Sequence, residues 1–254
     1  MKSDSLRTLS GNKYFLLRGF PDTNLICAFT TRLAENMSLF YGDTANSLEN
    51  RKNFLQELDI DYRDLVCAKQ IHASKVKYVQ GPDKGKGALS YDNSIPDTDA
   101  LITDEPGLPL AIFTADCLSI FLYDPETPAI GLVHAGWRST KEKIVAGALQ
   151  AMKKRFSTRI KDIYVGFGPA IRECCYEVSV EFAVFFPQCL VKREGRYYLD
   201  LAAINKKQVL GLGVREENIF DAGICTSCRR QDFYSFRKEG IGCGRLMSVI
   251  MLKG

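Results

Sequence analysis

The sequence predicts an α+β fold in a single domain over residues 1–254, and three observations carry that expectation. Short runs rich in β-branched and aromatic residues, bounded by turn residues, recur along most of the chain and call for sheets. Amphipathic helical patterns interrupt these runs irregularly, which favours α+β over the regular alternation of a doubly wound parallel sheet. No repeat, low-complexity tract or flexible linker divides the chain, and its 20 glycines and 9 prolines are dispersed at turn-like positions.

LICAFTT (25–31) is the first expected strand. SLENRKNFLQEL (47–58) reads as a helix, and DLVCAKQIH (64–72), KVKYVQ (75–80), DALIT (99–103) and LPLAIFT (108–114) return to strand. LSIFLY (118–123) and AIGLV (129–133) are joined by DPETP, whose two prolines and acidic residues suit a tight reversal, so an antiparallel hairpin is expected. The clearest helix covers 140–156: Ile144, Val145, Ala148, Leu149, Met152 and Phe156 recur at three-to-four spacing opposite a charged face, with Ser139 or Thr140 as its cap. DIYVGF (162–167) and RLMSVIML (245–252) are strands, whereas EVSVEFAVFF (177–186) and LAAINKKQVLGLG (201–213) are helical, the latter stopped by its glycines.

With 46% hydrophobic and 25% charged residues, a chain of 254 residues can bury a sizeable core. The net charge of +4 comes from Lys and Arg interspersed with Asp and Glu, so nucleic acid is not an indicated partner. The leading MKSDSLRTLS lacks the apolar core of a secretory signal, and the longest apolar stretch is broken by Asp116, so a membrane span is not expected. A cytoplasmic protein follows. Nine cysteines, odd in number and irregularly spaced, read as reduced thiols, most of them small buried hydrophobes.

Histidine is scarce: His72 and His134 are the two in the chain. In a hairpin centred on Glu126, paired residue numbers sum to about 252, placing Cys117 opposite 134 or 135 with Cβ atoms about 5 Å apart. A thiol and an imidazole could then meet one ion, although a one-residue slip would turn one side chain to the other face. His72, ending QIH, is the third candidate, because a catalytic zinc typically takes three His, Cys or carboxylate ligands and keeps a fourth position for water or substrate. Taken singly, a buried Cys or a hydrogen-bonded His is the commoner fate of each.

FTTR (29–32), QIHAS (70–74), FTADCLSI (113–120), HAGWRS (134–139), GPAIRECCYEV (168–178), YYLDL (197–201), CTSC (225–228) and FYSFRKEG with GRL (233–240, 244–246) together resemble the successive motifs of the bacterial laccase-domain, or YfiH-type, family. The pair TADC and HAGWR is specific, whereas YLDL or GRL alone means little. The resemblance covers nearly the whole chain and implies a layered αββα sandwich with mixed and antiparallel sheets. It also implies that His72, Cys117 and His134 are zinc ligands and, with Asp116, the catalytic centre. The activity it implies is that of a purine nucleoside phosphorylase acting on adenosine, inosine and methylthioadenosine, with adenosine deaminase activity. The sequence departs from the family at Ser139, where Gly is usual, and at Arg172, the last position of a usual GPAIG, where an effect on substrate access is expected.

Two His and one Cys also suit copper, so copper is the alternative occupant and laccase-like polyphenol oxidation an alternative activity. A multicopper enzyme needs many more imidazoles than two. The deaminase site built from H-x-E and P-C-x-x-C is excluded, since His72 precedes Ala73-Ser74 and CTSC follows Ile224. Cys117 activated by a histidine would instead make a hydrolase nucleophile, as in the family's peptidoglycan-editing relatives, and a metal-dependent interaction protein is the non-catalytic alternative.

Phosphate is expected at Arg138 and the free N–H groups opening the 140–156 helix, with local pairing as the other fate of Arg138. Arg32, in FTTR, is a second phosphate candidate by resemblance. Asp116 either orients a ligand and carries a proton or is structural, because in an extended strand it faces away from Cys117. Trp137 is a purine stack or a core aromatic. Cys174 and Cys175 have no partner motif, and Cys225 and Cys228, at C-x-x-C spacing, read as structural without a second pair. Arg237 and Lys238 belong to a surface or pocket rim.

Overall fold

In β8 (Leu118–Asp124) and β9 (Ala129–Ala135) every residue is buried, so both faces of their sheet must be covered. Phe121, Tyr123, Ile130 and Leu132 pack into one apolar cluster with Phe29, Ile112 and Ile250 of a second sheet, while Ile120, Leu122, Val133 and Ala135 pack on the other side against Val145, Leu149 and Met152. This period-two division makes the molecule a layered αββα sandwich, as expected. The computed structural model describes residues 6–9, 11, 13–21 and 24–254. The reading of the leading segment as lacking a signal falls, at residues 1–5 and 10, outside them.

The sheet holding β8 and β9 has the order β14 (Ile219–Asp221), β10 (Tyr164–Phe167), β8, β9, β6 (Ala100–Thr103), β5 (Val76–Tyr78). The second runs β1 (Leu6–Leu9), β2 (Tyr14–Leu17), β3 (Leu25–Thr30), β15 (Leu246–Leu252), β7 (Leu110–Thr114), β4 (Val66–Cys67). Both are mixed: β10–β14, β5–β6 and β4–β7 pair in parallel within otherwise antiparallel sheets. α1 (Thr44–Gln56) buries Phe54 and Leu55 against Ile26, Ala28 and Val249 on the outside of the second sheet. α3 (Ile144–Phe156) and α5 (Leu201–Gly211) cover the outside of the first. No helix of the described residues is long and apolar enough to cross a membrane.

Several expectations need correction. The 64–72 run contributes only Val66–Cys67 to a sheet, because the N–H groups of Ile71, His72 and Ala73 turn to the Asp99 carboxylate instead of a strand. The 140–156 helix is two helices, α2 (Trp137–Lys141) and α3, broken where Lys143 adopts a left-handed φ of 57°. Ser139 and Thr140 are buried within α2 and neither caps α3. The 177–186 run opens as β11 (Glu177–Val178), paired with β13 (Arg196–Leu199), and only α4 (Phe182–Phe185) is helical. β12 (Leu190–Arg193) joins β13 through Glu194-Gly195, both at positive φ, a two-residue hairpin turn that went unread.

The predicted hairpin forms, with a register shifted from expectation. Ser119 pairs with His134 and Leu118 with Ala135, which sets Cys117 across from Gly136 rather than from 134 or 135. Asp124 fixes this register: its carboxylate accepts from Glu126 N at 3.0 Å, Thr127 N at 3.3 Å and Thr127 Oγ1 at 2.6 Å, closing a loop over 125–128.

Candidate metal centre

The shifted register still brings Cys117 and His134 together. Ser119 and His134 are cross-strand partners with the parity of Phe121 and Leu132, so both point toward the space between the sheets. Cys117, two residues before Ser119, takes the same side and meets His134 diagonally. His72 arrives from the loop between β4 and β5 with a left-handed φ of 61°. Its Nε2 lies 3.9 Å from Cys117 Sγ, and the ligand atoms of His72, Cys117 and His134 all lie within 4.8 Å of one another. Around a tetrahedral zinc, N and S ligands at about 2.1 and 2.3 Å stand about 3.6 Å apart, so the donor set fits such an ion.

Asp99, fully buried, organises the centre. One carboxylate receives the backbone N–H groups of Ile71, His72 and Ala73 at 3.1, 3.0 and 2.9 Å, and lies 2.7 Å from His134 Nδ1. With Nδ1 engaged, His134 keeps Nε2 available for an ion, as in carboxylate–histidine–metal arrangements where the carboxylate fixes tautomer and ring orientation. Gly136 supplies the room. A Cβ there would stand 3.0 Å from His72 Cδ2 and 3.1 Å from Cys117 Sγ.

Burial works against the Cys117 thiolate, but the His134 imidazolium and hydrogen bonds to both histidines outweigh it and bring the thiol down to about 6. Burial also opposes charging of His134, yet the Cys117 thiolate and the Asp99 carboxylate lift it to about 9. The surroundings of Cys117 thus favour the thiolate form that metal binding requires.

The centre opens into a cavity of about 650 Å³ lined by His72, Asp116, Cys117, His134, Trp137 and Arg138, with Tyr176, Arg237 and Arg245 on its walls. Phe40, Tyr41 and Tyr91 form an aromatic cluster at its edge, with ring centroids 4.8 Å apart for Phe40–Tyr41 and 4.7 Å for Phe40–Tyr91. This size suits a small organic ligand.

Residues 32–253 match the family described as multi-copper polyphenol oxidoreductase laccase. The chain belongs to that family. It is 35% identical over 225 residues to the purine nucleoside phosphorylase YlmD of Geobacillus stearothermophilus, covering 85% of this chain and 82% of that protein. It is 29% identical over 228 residues to adenosine deaminase RL5 from an unknown prokaryote, covering 86% of this chain and 87% of the relative. The crystal structure of the Geobacillus YlmD superposes with a TM-score of 0.93 at 30% identity, over 99% of this chain and all of that one.

Within this laccase-family chain, the remaining expected residues separate. Asp116 lines the cavity, but at φ 79° it is not in an extended strand. Its carboxylate accepts from Thr226 Oγ1 at 2.6 Å, Ser235 Oγ at 3.1 Å and Arg237 N at 2.7 Å, so it ties two loops to the residue beside Cys117. Arg138 lines the cavity with its guanidinium 4.5 Å over the Trp137 ring, and that guanidinium makes no hydrogen bond or ion pair among the described residues. Arg32 is not brought to the cavity: Arg230 O, Phe233 O and Glu239 take its guanidinium. Glu239 lies on α6 (Phe236–Glu239), whose Phe236 and Arg237 do line the cavity.

The helix start expected to bind phosphate falls at α2, three residues before the expected 140, and its capping residue Gly136 donates its N–H to Ser139 Oγ at 2.9 Å. Ser139 also bonds His134 O at 3.2 Å, so this departure from the family braces the HAGW turn. Arg172 spans Asp200 and Asp221 at 2.9 Å each and lines no part of the cavity, which removes the expected effect on access. Trp137 is half-buried on the cavity wall, 6.0 Å from the Phe185 ring. Asp99, Gln70, Tyr176 and Arg245 went unread. Gln70 pins the His72 loop to Phe113 through paired 2.8 Å hydrogen bonds. The only signal for Asp99 was an acidic residue entering an apolar strand, far in sequence from both histidines.

Proposed function

We propose that this enzyme is a zinc-dependent purine nucleoside phosphorylase acting on adenosine, inosine and methylthioadenosine, and that the same centre deaminates adenosine. The observation that supports this best is the three-ligand set of His72, Cys117 and His134 opening onto a cavity that also holds an unpaired guanidinium, Arg138. The names of the relatives, a purine nucleoside phosphorylase and an adenosine deaminase, point the same way. The enzyme acts as one domain over residues 1–254, in the cytoplasm, where its free cysteines stay reduced.

Cys117, His72 and His134 would hold the ion. Zinc supplies Lewis-acid chemistry at a phosphate or water oxygen when bound. Arg138 binds phosphate through charge-assisted hydrogen bonds, and Arg237 and Arg245 add positive potential at the same wall. Trp137 and the Tyr41 cluster offer ring faces to the purine. Asp99 fixes the tautomer of His134, Asp116 positions the Cys117 segment, and Arg32 positions α6. Copper fits the same donors, and polyphenol oxidation is the activity that loading would bring.

Zinc-replete protein incubated with adenosine and phosphate is expected to release adenine and ribose 1-phosphate, and to yield only inosine when phosphate is omitted. A folded, metal-replete sample that forms neither product overturns the proposal, and turnover of a phenol by the copper-loaded form alone would move the assignment to oxidation.

A further inference from the structure

The fold gathers four of the nine cysteines away from the centre just described. Cys174 and Cys175 follow β10 in the GPAIRECCYEV segment, and Cys225 and Cys228 sit in the turn after β14. A parallel bridge between Ala170 and Cys225 sets the two segments side by side. All four sulfurs then lie within 4.8 Å of one another, with Cys228 Sγ at 3.4 Å from Cys174 and 3.3 Å from Cys175.

These separations select among the chemistries open to four thiols. A disulfide needs sulfurs at about 2.05 Å, which no pair approaches. Four thiolates around a tetrahedral zinc, each at about 2.3 Å, stand about 3.8 Å apart; the Cys228 contacts, at 3.4 and 3.3 Å, lie just inside that value and every other pair lies within 4.8 Å. C-x-x-C at 225–228 is the usual spacing of a zinc-binding turn. Cys174 and Cys228 are exposed, so an ion can reach the cluster from solvent.

We propose that Cys174, Cys175, Cys225 and Cys228 form a second, tetrathiolate zinc site with a structural role. With four protein ligands it leaves no open position, so it holds segments together instead of binding substrate. Those segments reach the cavity. Cys175 precedes Tyr176, a cavity wall, and Cys225 precedes Thr226, which bonds Asp116 at 2.6 Å. Ile171 N donates to Asp116 O at 2.9 Å from the same strip. The ion therefore clamps the wall on which Asp116 hangs, and the sequence hid it because the two cysteine pairs are about fifty residues apart.

Metal content and thiol count test the site without reference to activity. Protein prepared under reducing conditions and desalted is expected to hold about two zinc ions per chain, and Cys117→Ala and the Cys225→Ser/Cys228→Ser double variant about one each. Cobalt(II) loaded into Cys117→Ala should show the intense thiolate-to-metal charge-transfer bands of an all-sulfur tetrahedral site. After unfolding in chelator without reductant, all nine thiols should react. Cys117→Ala that holds no zinc and gives no cobalt spectrum overturns the proposal even if the double variant fails to fold. So does a thiol count reduced by disulfides in freshly isolated protein.

Discussion

Asp99 joins two histidines that the chain keeps far apart, through one buried carboxylate that sets the His72 loop and the His134 ring. Replacing it with Asn removes the charge that fixes His134 Nδ1, and zinc affinity is expected to fall about 10- to 100-fold in chelator competition. An unchanged affinity would remove Asp99 from the account. Gly136 is needed for space: Gly136→Ala puts a methyl 3.1 Å from Cys117 Sγ, and the protein should lose the zinc of this centre while keeping its far-ultraviolet circular dichroism. Retention of full zinc content would show that the ligands can move aside. In the proposed reaction Arg138 is the phosphate-binding residue. Arg138→Ala should raise the KM for phosphate about tenfold or more, the cost of a charge-assisted hydrogen bond, with a much smaller change for the nucleoside. Arg32→Ala, which removes the ion pair to Glu239 of α6, should lower Tm with a smaller effect on that KM. Equal KM effects from both would contradict their separation.

At the scale of elements, the β8–β9 hairpin carries both the core and the metal centre. Phe121 and Leu132 face the second sheet on the side that also presents Cys117 and His134, so packing and ligand placement share one register. Phe121→Ala is expected to cost about 3–5 kcal/mol, read as a lowered denaturant midpoint, because both sheets close on that ring. A cost below about 1 kcal/mol would mean that the inter-sheet layer does not lock the hairpin. The hairpin was legible because alternation and DPETP are local signals. Its register was not, since it depends on how Asp124 folds back on the loop. The strand expected over 64–72 failed for a related reason: its backbone donors go to Asp99, a tertiary partner invisible to local pattern. The break at Lys143 left apolar periodicity intact on either side, and EVSVEFAVFF split because β13 offered Glu177 and Val178 a strand partner.

For the whole molecule, two mixed sheets between helices leave a cavity into which β9, the residues just before β8, the His72 loop and α6 all deliver side chains. The motifs TADC, HAGWR and QIH marked the three donors that the structure brings together, because donor chemistry is carried by residue type. The cavity wall was less legible: Arg138 stayed free while Arg32 and Arg172 found carboxylates, outcomes decided by neighbours distant in sequence. If zinc held by His72, Cys117 and His134 drives phosphate-dependent cleavage of a purine nucleoside, the rate of ribose 1-phosphate release from inosine in saturating phosphate separates zinc-replete protein from Cys117→Ala of matched fold. Steady release is expected from the former and none above background from the latter; comparable rates from both would overturn the zinc-centred reaction.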